Sequence, residues 1–169
     1  LDDNFAKSLG KFEGLADLKN KLRENIKYDK EMRAKDKKRM QVIDEIIKVS
    51  DIPLPPVLVE AETDKMLAEM RYETEKMKLK WGDYLSHLKK TEVELKTTWQ
   101  EDAKRRVKTG LILGEVALKE KITAPEADIK KELDHLKTHY PNTSEDRLRQ
   151  YVTGLITNEK VFGWFEDQK

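Results

Sequence analysis

The sequence predicts an all-α protein, and three observations carry that expectation. Apolar residues recur at three- and four-residue spacing along most of the chain, with charged residues between them. No stretch shows convincing strand alternation, and no internal repeat is present. Charged residues make up 40% of the 169 residues, the hydrophobic class 37% and aromatics 7%. Such a chain is too polar for a thick-cored globule and too periodic for disorder. Elongated helices with much surface per residue satisfy both conditions, in one ordinary domain or two small ones.

Residues 1–12 read as an irregular lead-in anchored by Phe5, Leu9 and Phe12. A long helix follows over about 13–49, because Leu15, Leu18, Leu22 and Ile26 share one face and Met40, Ile43, Ile46 and Ile47 resume it. No Gly or Pro interrupts residues 15–49, which would span roughly 50 Å at 1.5 Å per residue. In its solvated middle, Asp29 and Arg33, and Glu31 and Lys35, stand four residues apart in the favourable acid-before-base order.

Pro53, Pro55 and Pro56 stop that helix, and Pro56 suits the first turn of the next. Val59, Thr63, Met66, Met70 and Met77 give a thin, methionine-rich stripe, so a helix is predicted over about 56–80. Trp81-Gly82-Asp83 is read as its break, with a short helical turn at Tyr84, Leu85 and Leu88. Thr91 and Glu94 form a capping box that opens one continuous helix to Ile122, an antiparallel neighbour of the preceding one. Its stripe is Leu95, Trp99, Ala103, Val107, Leu111, Leu118 and Ile122, widening at Leu111-Ile112-Leu113. Gly110 and Gly114 flank that widening and are read as admitting a close neighbour, near Ile43 and Ile47 of the long helix.

Thr123 with Glu126, and Pro125 in the first turn, predict the next helix, which Pro141-Asn142 ends. Its stripe is Ile129, Leu133, Leu136 and Tyr140. Thr143 or Ser144 then caps a last helix bearing Leu148, Tyr151, Val152, Leu155, Phe162 and Phe165, with Gly154 and Gly163 weakening it or admitting a neighbour. In segments, the chain divides into about 13–49, 56–80, 81–122 and 124–168.

Composition excludes several functions. With 34 basic and 33 acidic residues the net charge is +1, so nucleic acid has no electrostatic claim on the whole chain. The absence of cysteine removes disulfides and zinc–thiolate sites and fits a reducing compartment. No apolar run approaches the roughly twenty residues that span a bilayer, and no signal peptide opens the chain, so no membrane contact is expected. The start at Leu1 rather than Met points to a piece of a longer protein.

Candidate chemistry is sparse. His135 and His139 have the spacing of two imidazoles on one metal, but Leu136 stands where the metalloprotease pattern needs Glu, and no third ligand is evident. Glu60, Glu62 and Asp64 lie in the first turns of a helix, where the dipole favours them. Lys104, Arg105, Arg106 and Lys108 lack interleaved aromatics and read as a solvated face. No nucleophile setting or phosphate loop is present, so neither an enzyme activity nor a cofactor is expected. Met66, Met70 and Met77 remain as adaptable apolar surface.

Four stretches resemble one family: FAKSLGKFEGLADLK at Phe5–Lys19, IPLPPVLVEAETDKML at Ile52–Leu67, AKRRVKTGLILGEVA at Ala103–Ala117 and NEKVFGWF at Asn158–Phe165. Together they are similar to the C-terminal domain of bacterial trigger factors. The resemblance implies a SurA-like helical body with two arms forming a cradle, the helix at 15–49 crossing the body, and residues 56–80 forming one arm. It implies an ATP-independent cytoplasmic chaperone, a holdase whose partners are unfolded or nascent polypeptides. The family's ribosome-docking domain, with its Gly-Phe-Arg loop, and its FKBP-like prolyl isomerase domain have no counterpart in these residues. Ribosome contact and isomerase activity are therefore not assigned to them.

By the same resemblance, Leu136, Tyr140, Leu148 and Tyr151 would line the cradle, and composition adds Met66, Met70 and Met77. The competing expectation is a structural module that spaces domains or dimerises, and weak homodimerisation belongs with it. An RNA-binding bundle comes third.

Overall fold

In the computed structural model, which describes residues 1–141 and 143–168, the described residues form eight helices and no strand. They pack as two units, residues 1–48 and residues from 49 onward.

In the first unit, the lead-in is not irregular: Asp3–Ser8 forms helix α1. The Asp2 carboxylate accepts the Phe5 N–H at 2.9 Å, which caps the helix, and Asp3 adds negative charge to its first turn. The Asp3 carboxylate in turn accepts the Leu15 N–H at 2.7 Å and so joins α1 to the start of α2. Gly14 leaves room for that carboxylate, because a Cβ would stand 2.8 Å from Asp3 Oδ1 and push it aside. Helix α2, Leu15–Val49, is uninterrupted over 35 residues. Leu18 and Ile43 are buried, while Leu22, Ile26, Tyr28 and Met32 on the intervening turns stay exposed. Glu31 pairs with Lys27 at 3.9 Å, and Asp29 and Arg33 do not pair as their spacing predicted.

The second unit contains α3 (Pro56–Lys76), α4 (Trp81–Leu88), α5 (Glu92–Thr98), α6 (Gln100–Lys119), α7 (Glu126–His139) and α8 (Glu145–Asp167). Helix α3 ends earlier than predicted, and Trp81 opens α4 instead of breaking a helix. The stop is Lys78, whose φ of 61° is left-handed. The Leu79 N–H then closes on Thr74 O at 3.1 Å. Lys89 and Lys121, at φ 52° and 54°, end α4 and α6 the same way, with closures from Lys90 to Leu85 and from Ile122 to Ala117. Glycine is the usual residue at such a stop. Lysine accepts a backbone cost there but sets its charge against the negative end of the helix dipole.

The helix predicted from Thr91 to Ile122 is two helices. The Thr91–Glu94 capping box forms as predicted. The chain then turns at Trp99, with φ −90° and ψ 2°. Thr97 and Thr98 donate their hydroxyls to the Val93 and Glu94 carbonyls at 2.8 Å each, a back-bonding that bends helices. The break is mild, since Trp99 and Ala103 keep their bonds to the carbonyls four residues back.

Helix α6 packs on α3, α5 and α8. Ala103 has no accessible surface, and Ile112, Leu113 and Ala117 are buried after it. The four-residue stripe predicted here drifts off this face, because each step of four turns 400° around a 3.6-residue helix. Leu111 is accordingly 42% exposed and Leu118 75%. A Cβ at Gly110, Gly114, Gly154 or Gly163 would meet nothing within 4 Å, so none of these glycines admits a close neighbour. On α3 the buried positions are Val59, Thr63, Leu67 and Thr74. The two threonines donate within α3, to Glu60 O and Met70 O at 2.8 Å, and so carry no unpaired polar atom.

Charges close the same seam. Arg71 pairs with Glu92 and Asp64 with Lys96, so α3 descends as α5 ascends, the antiparallel arrangement predicted. Arg106 reaches both Glu62 at 3.4 Å and Glu69 at 3.1 Å. Partial burial opposes its charge, but Glu69 and Glu62 outweigh that and hold its pKa above the usual arginine value. Glu92 also accepts the Trp81 indole N–H at 2.6 Å, so one carboxylate joins α3, α4 and α5.

Further on, Pro125 occupies the N-cap of α7, which leaves Thr123 outside the helix and the predicted capping box unformed. Ser144 is the N-cap of α8, without a side-chain bond. Helix α7 ends at His139 with Tyr140 as its C-cap, and Asn142 lies outside the described residues.

Two substitutions on α6 should move stability in opposite directions. Gly110→Ala or Gly114→Ala should raise it by about 0.5–1 kcal/mol in urea unfolding, since the added methyl meets open space. Ala103→Leu should lower it by about 1–3 kcal/mol, through overpacking against α3.

Candidate functional site

Helices α7 and α8 pack against each other, and their buried positions are few: Ile129 and Leu133 on α7, and Leu148, Val152, Val161 and Phe162 on α8. Two ion pairs tie them. Lys137 meets Glu145 at 2.9 Å across the turn, and Arg149 pairs with Glu126 near the start of α7. Glu126 is held below the usual glutamate range by the Arg149 hydrogen bond, and Glu145 by its bond from Lys137.

Beyond this contact the two helices and the α6–α7 connector leave an open groove of about 1060 Å³. Ile122 of the connector and Leu155, Ile156 and Trp164 of α8 give it apolar lining. Lys121, Lys131 and Lys160 alternate around it with Asp128, Glu132, Glu159 and Asp167. The arrangement is apolar contact with charges of both signs nearby. It holds no nucleophile–base pair, and no group of three metal-ligating side chains gathers among the described residues. His135 and His139 stack edge to face with centroids 4.9 Å apart, and His135 stands 4.0 Å from Glu132.

The residues predicted from sequence fall in different places. Tyr140 is 48% exposed and Tyr151 63%, whereas Leu148 at 6% belongs to the core and offers a ligand almost nothing. Leu136 is half-buried. Tyr151 lies one turn before Leu155 on α8, and Leu136 one turn after Glu132 on α7, so both continue rows that line the groove. Met66 and Met70 are half-buried beside Leu67 on α3, and Met77 is exposed at its end. Helix α3 packs on α4, α5 and α6, so the methionines form a separate surface. Ile156 and Trp164 were not singled out from sequence. Their spacing with Lys160 and Asp167 places all four along one side of α8, but only the packing of α7 and the connector turns that side into a groove.

Comparison with known proteins places these features in a family. Residues 14–161 match the family model described as bacterial trigger factor protein (TF) C-terminus. The chain is 34% identical over 146 residues to the trigger factor of Carboxydothermus hydrogenoformans, covering 86% of this chain and 34% of that protein. It is 28% identical over 177 residues to the trigger factor of Caldicellulosiruptor bescii, covering all of this chain and 40% of the relative. That of Alkaliphilus oremlandii is 30% identical, with 95% and 40% covered. The chain thus spans between a third and two fifths of these relatives. No described helix is long and apolar enough to cross a membrane.

The α7–α8 ion pairs set a pH dependence. Because the folded-state values of Glu126 and Glu145 are depressed, their stabilisation is present above the unfolded value near pH 4.5. It is lost as pH falls through the lower folded values. The double variant E126Q/E145Q should melt below the parent at pH 7, with the two curves converging in acid. A constant gap across pH would contradict the assignment.

Proposed function

This chain belongs to the bacterial trigger factor C-terminal family, a chaperone family, and on that premise we propose that it is an ATP-independent holdase for unfolded or nascent polypeptides. The observation that carries the reading is the open α7–α8 groove, with Tyr151 and Leu155 exposed on the row that enters it. An extended apolar segment of a client would cover Ile122, Leu155, Ile156 and Trp164, while its backbone amides face the charged rim. Each large side chain buried in such a contact contributes about 2 kcal/mol. That is too little to hold a client at one place, but several contacts on one flexible chain act together. Release then follows from the weakness of each contact, with no nucleotide.

Leu136, Tyr140 and Tyr151 extend the groove, and Leu148 fixes the α8 backbone that carries Tyr151. Met66, Met70 and Met77 supply a second, adaptable surface on α3. No catalytic residue is assigned to this chain, and the family reading supports a cytoplasmic location. Contact with the ribosome would belong to parts of the full-length relatives outside the matched span. Exposed Leu22 and Ile26, whose stripe on α2 loses its cover after Leu18, support a second reading of weak homodimerisation.

Titration of the chain with an unfolded, apolar-rich protein should shift NMR signals of Leu136, Tyr140, Tyr151, Leu155 and Trp164. Tyr151→Ser with Leu155→Ser should weaken binding by more than about tenfold, because two side chains at about 2 kcal/mol each exceed the roughly 1.4 kcal/mol that makes a factor of ten. Absence of shifts there removes the site. Absence of aggregation suppression at equimolar chain removes the holdase reading itself. Light scattering that shows one tight dimer and no client affinity would favour the structural module.

A further inference from the structure

Residues 76–90, KMKLKWGDYLSHLKK, contain five lysines against one acid, Asp83, in a chain whose 34 basic and 33 acidic residues otherwise balance. All five lysines are exposed. Lys76 pairs with Glu73 at 3.8 Å and Lys90 reaches the Thr98 hydroxyl at 3.4 Å. Lys78, Lys80 and Lys89 make no ion pair among the described residues. Helix α4 lies between these lysines and has no buried residue. Its eight residues span about 12 Å at 1.5 Å per residue, so lysines bracket a short, half-covered apolar helix at both ends. Leu79, just before α4, and Leu88, its last residue, are exposed, and a cavity of about 460 Å³ is lined by Lys78, Leu79, Lys80, Asp83, Tyr84 and His87.

We propose that this α4 surface, next to Met77 and apart from the α7–α8 groove, is a client-binding site selective for extended segments that carry acidic residues on either side of an apolar anchor. The inference deepens the holdase reading and rests on it. Charge complementarity identifies the occupant: Lys78 and Lys80 at the cavity, where Asp83 is the one acid, and Lys89 past the other end of α4 attract carboxylates, and exposed Leu79 and Leu88 meet an aliphatic or aromatic side chain. The 12 Å between the brackets matches about four residues of extended chain at 3.3 Å each. Nucleic acid fits less well, because base stacking needs a free aromatic face. Arg71 lies over the Trp81 ring at 5.4 Å, and Tyr84 stacks against it at 5.8 Å. Lys78 and Lys89 also keep their charge at left-handed positions where glycine would cost less backbone strain.

Fluorescence anisotropy with two labelled peptides tests the site. One carries two Glu four residues apart around Leu-Phe, and the other carries Lys at the same positions. The intact chain should bind the acidic peptide about tenfold more tightly at low salt, and the preference should vanish in about 0.5 M NaCl. K78Q/K80Q/K89Q should abolish the preference and K78E/K80E/K89E should reverse it, both with unchanged circular dichroism. Neither should weaken binding of an uncharged unfolded client at the α7–α8 groove. Equal affinity for both peptides, or a preference that survives the triple variants, overturns the proposal. So does displacement of the acidic peptide by oligouridine or by anionic vesicles. Failure of the intact chain to bind the acidic peptide, with the uncharged client still bound, overturns this site, whereas failure of the intact chain to bind either overturns the holdase reading.

Discussion

The closeness of α6 to α3 is the constraint on which residues 49–168 depend. Ala103 is fully buried, and Arg106, one turn on, reaches Glu62 and Glu69 of α3. A small side chain at the contact and a long charged one beside it fix where the two helices meet. The later half of α6 buries Ile112, Leu113 and Ala117, and its C-terminal connector contributes Lys121 and Ile122 to the groove beside α8. One helix therefore carries packing at its start and a groove wall at its end. A bulkier residue at Ala103 would move both.

The seams are narrow because the chain is poor in apolar residues. Each helix of this unit buries at most four described positions, and α4 none. Helices covered on one stripe leave apolar residues elsewhere in water, as at Leu118, Tyr151 and Leu155. In a monomeric enzyme such surface would be a liability. On the proposed holdase reading it is the working part, since weak, dispersed apolar contacts would allow both capture and release. The same economy explains the charged rim: ion pairs such as Arg149–Glu126 orient α7 and α8 without consuming the apolar side chains that a client would cover.

Helix existence was legible from periodicity, and boundaries less so. The long α2 follows from the lack of Gly and Pro over 15–49, and the Thr91 capping box formed as its spacing required. Helix ends at Lys78, Lys89 and Lys121 were hidden, because glycine is the usual signal for a left-handed stop. Gly110 and Gly114 misled in the opposite sense: they look like close-packing positions and face open space. On α6 a four-residue step was taken for the 3.6-residue period, which placed Leu111 and Leu118 on the wrong side. Of the site residues that the family resemblance implies, Tyr140 and Tyr151 are exposed, whereas Leu148, on the same stripe, is core. Burial at a single helical position depends on which neighbour crosses there, and that is a tertiary fact. The groove itself joins residues 121–132 to residues 155–167 of another helix, so no local pattern announces it.

On the proposed reading, unfolded chain is captured in the α7–α8 groove. Site-specific photocrosslinking measures this most directly, with a photoreactive phenylalanine placed at Tyr151 in one variant and at Leu1 in another. Both positions are exposed apolar residues, but only Tyr151 stands one helical turn from Leu155 of the groove lining. The account predicts that an unfolded client crosslinks to position 151 far more than to position 1, and that the product disappears once the client has folded. Equal yields at the two positions, or persistence with the folded client, would contradict it.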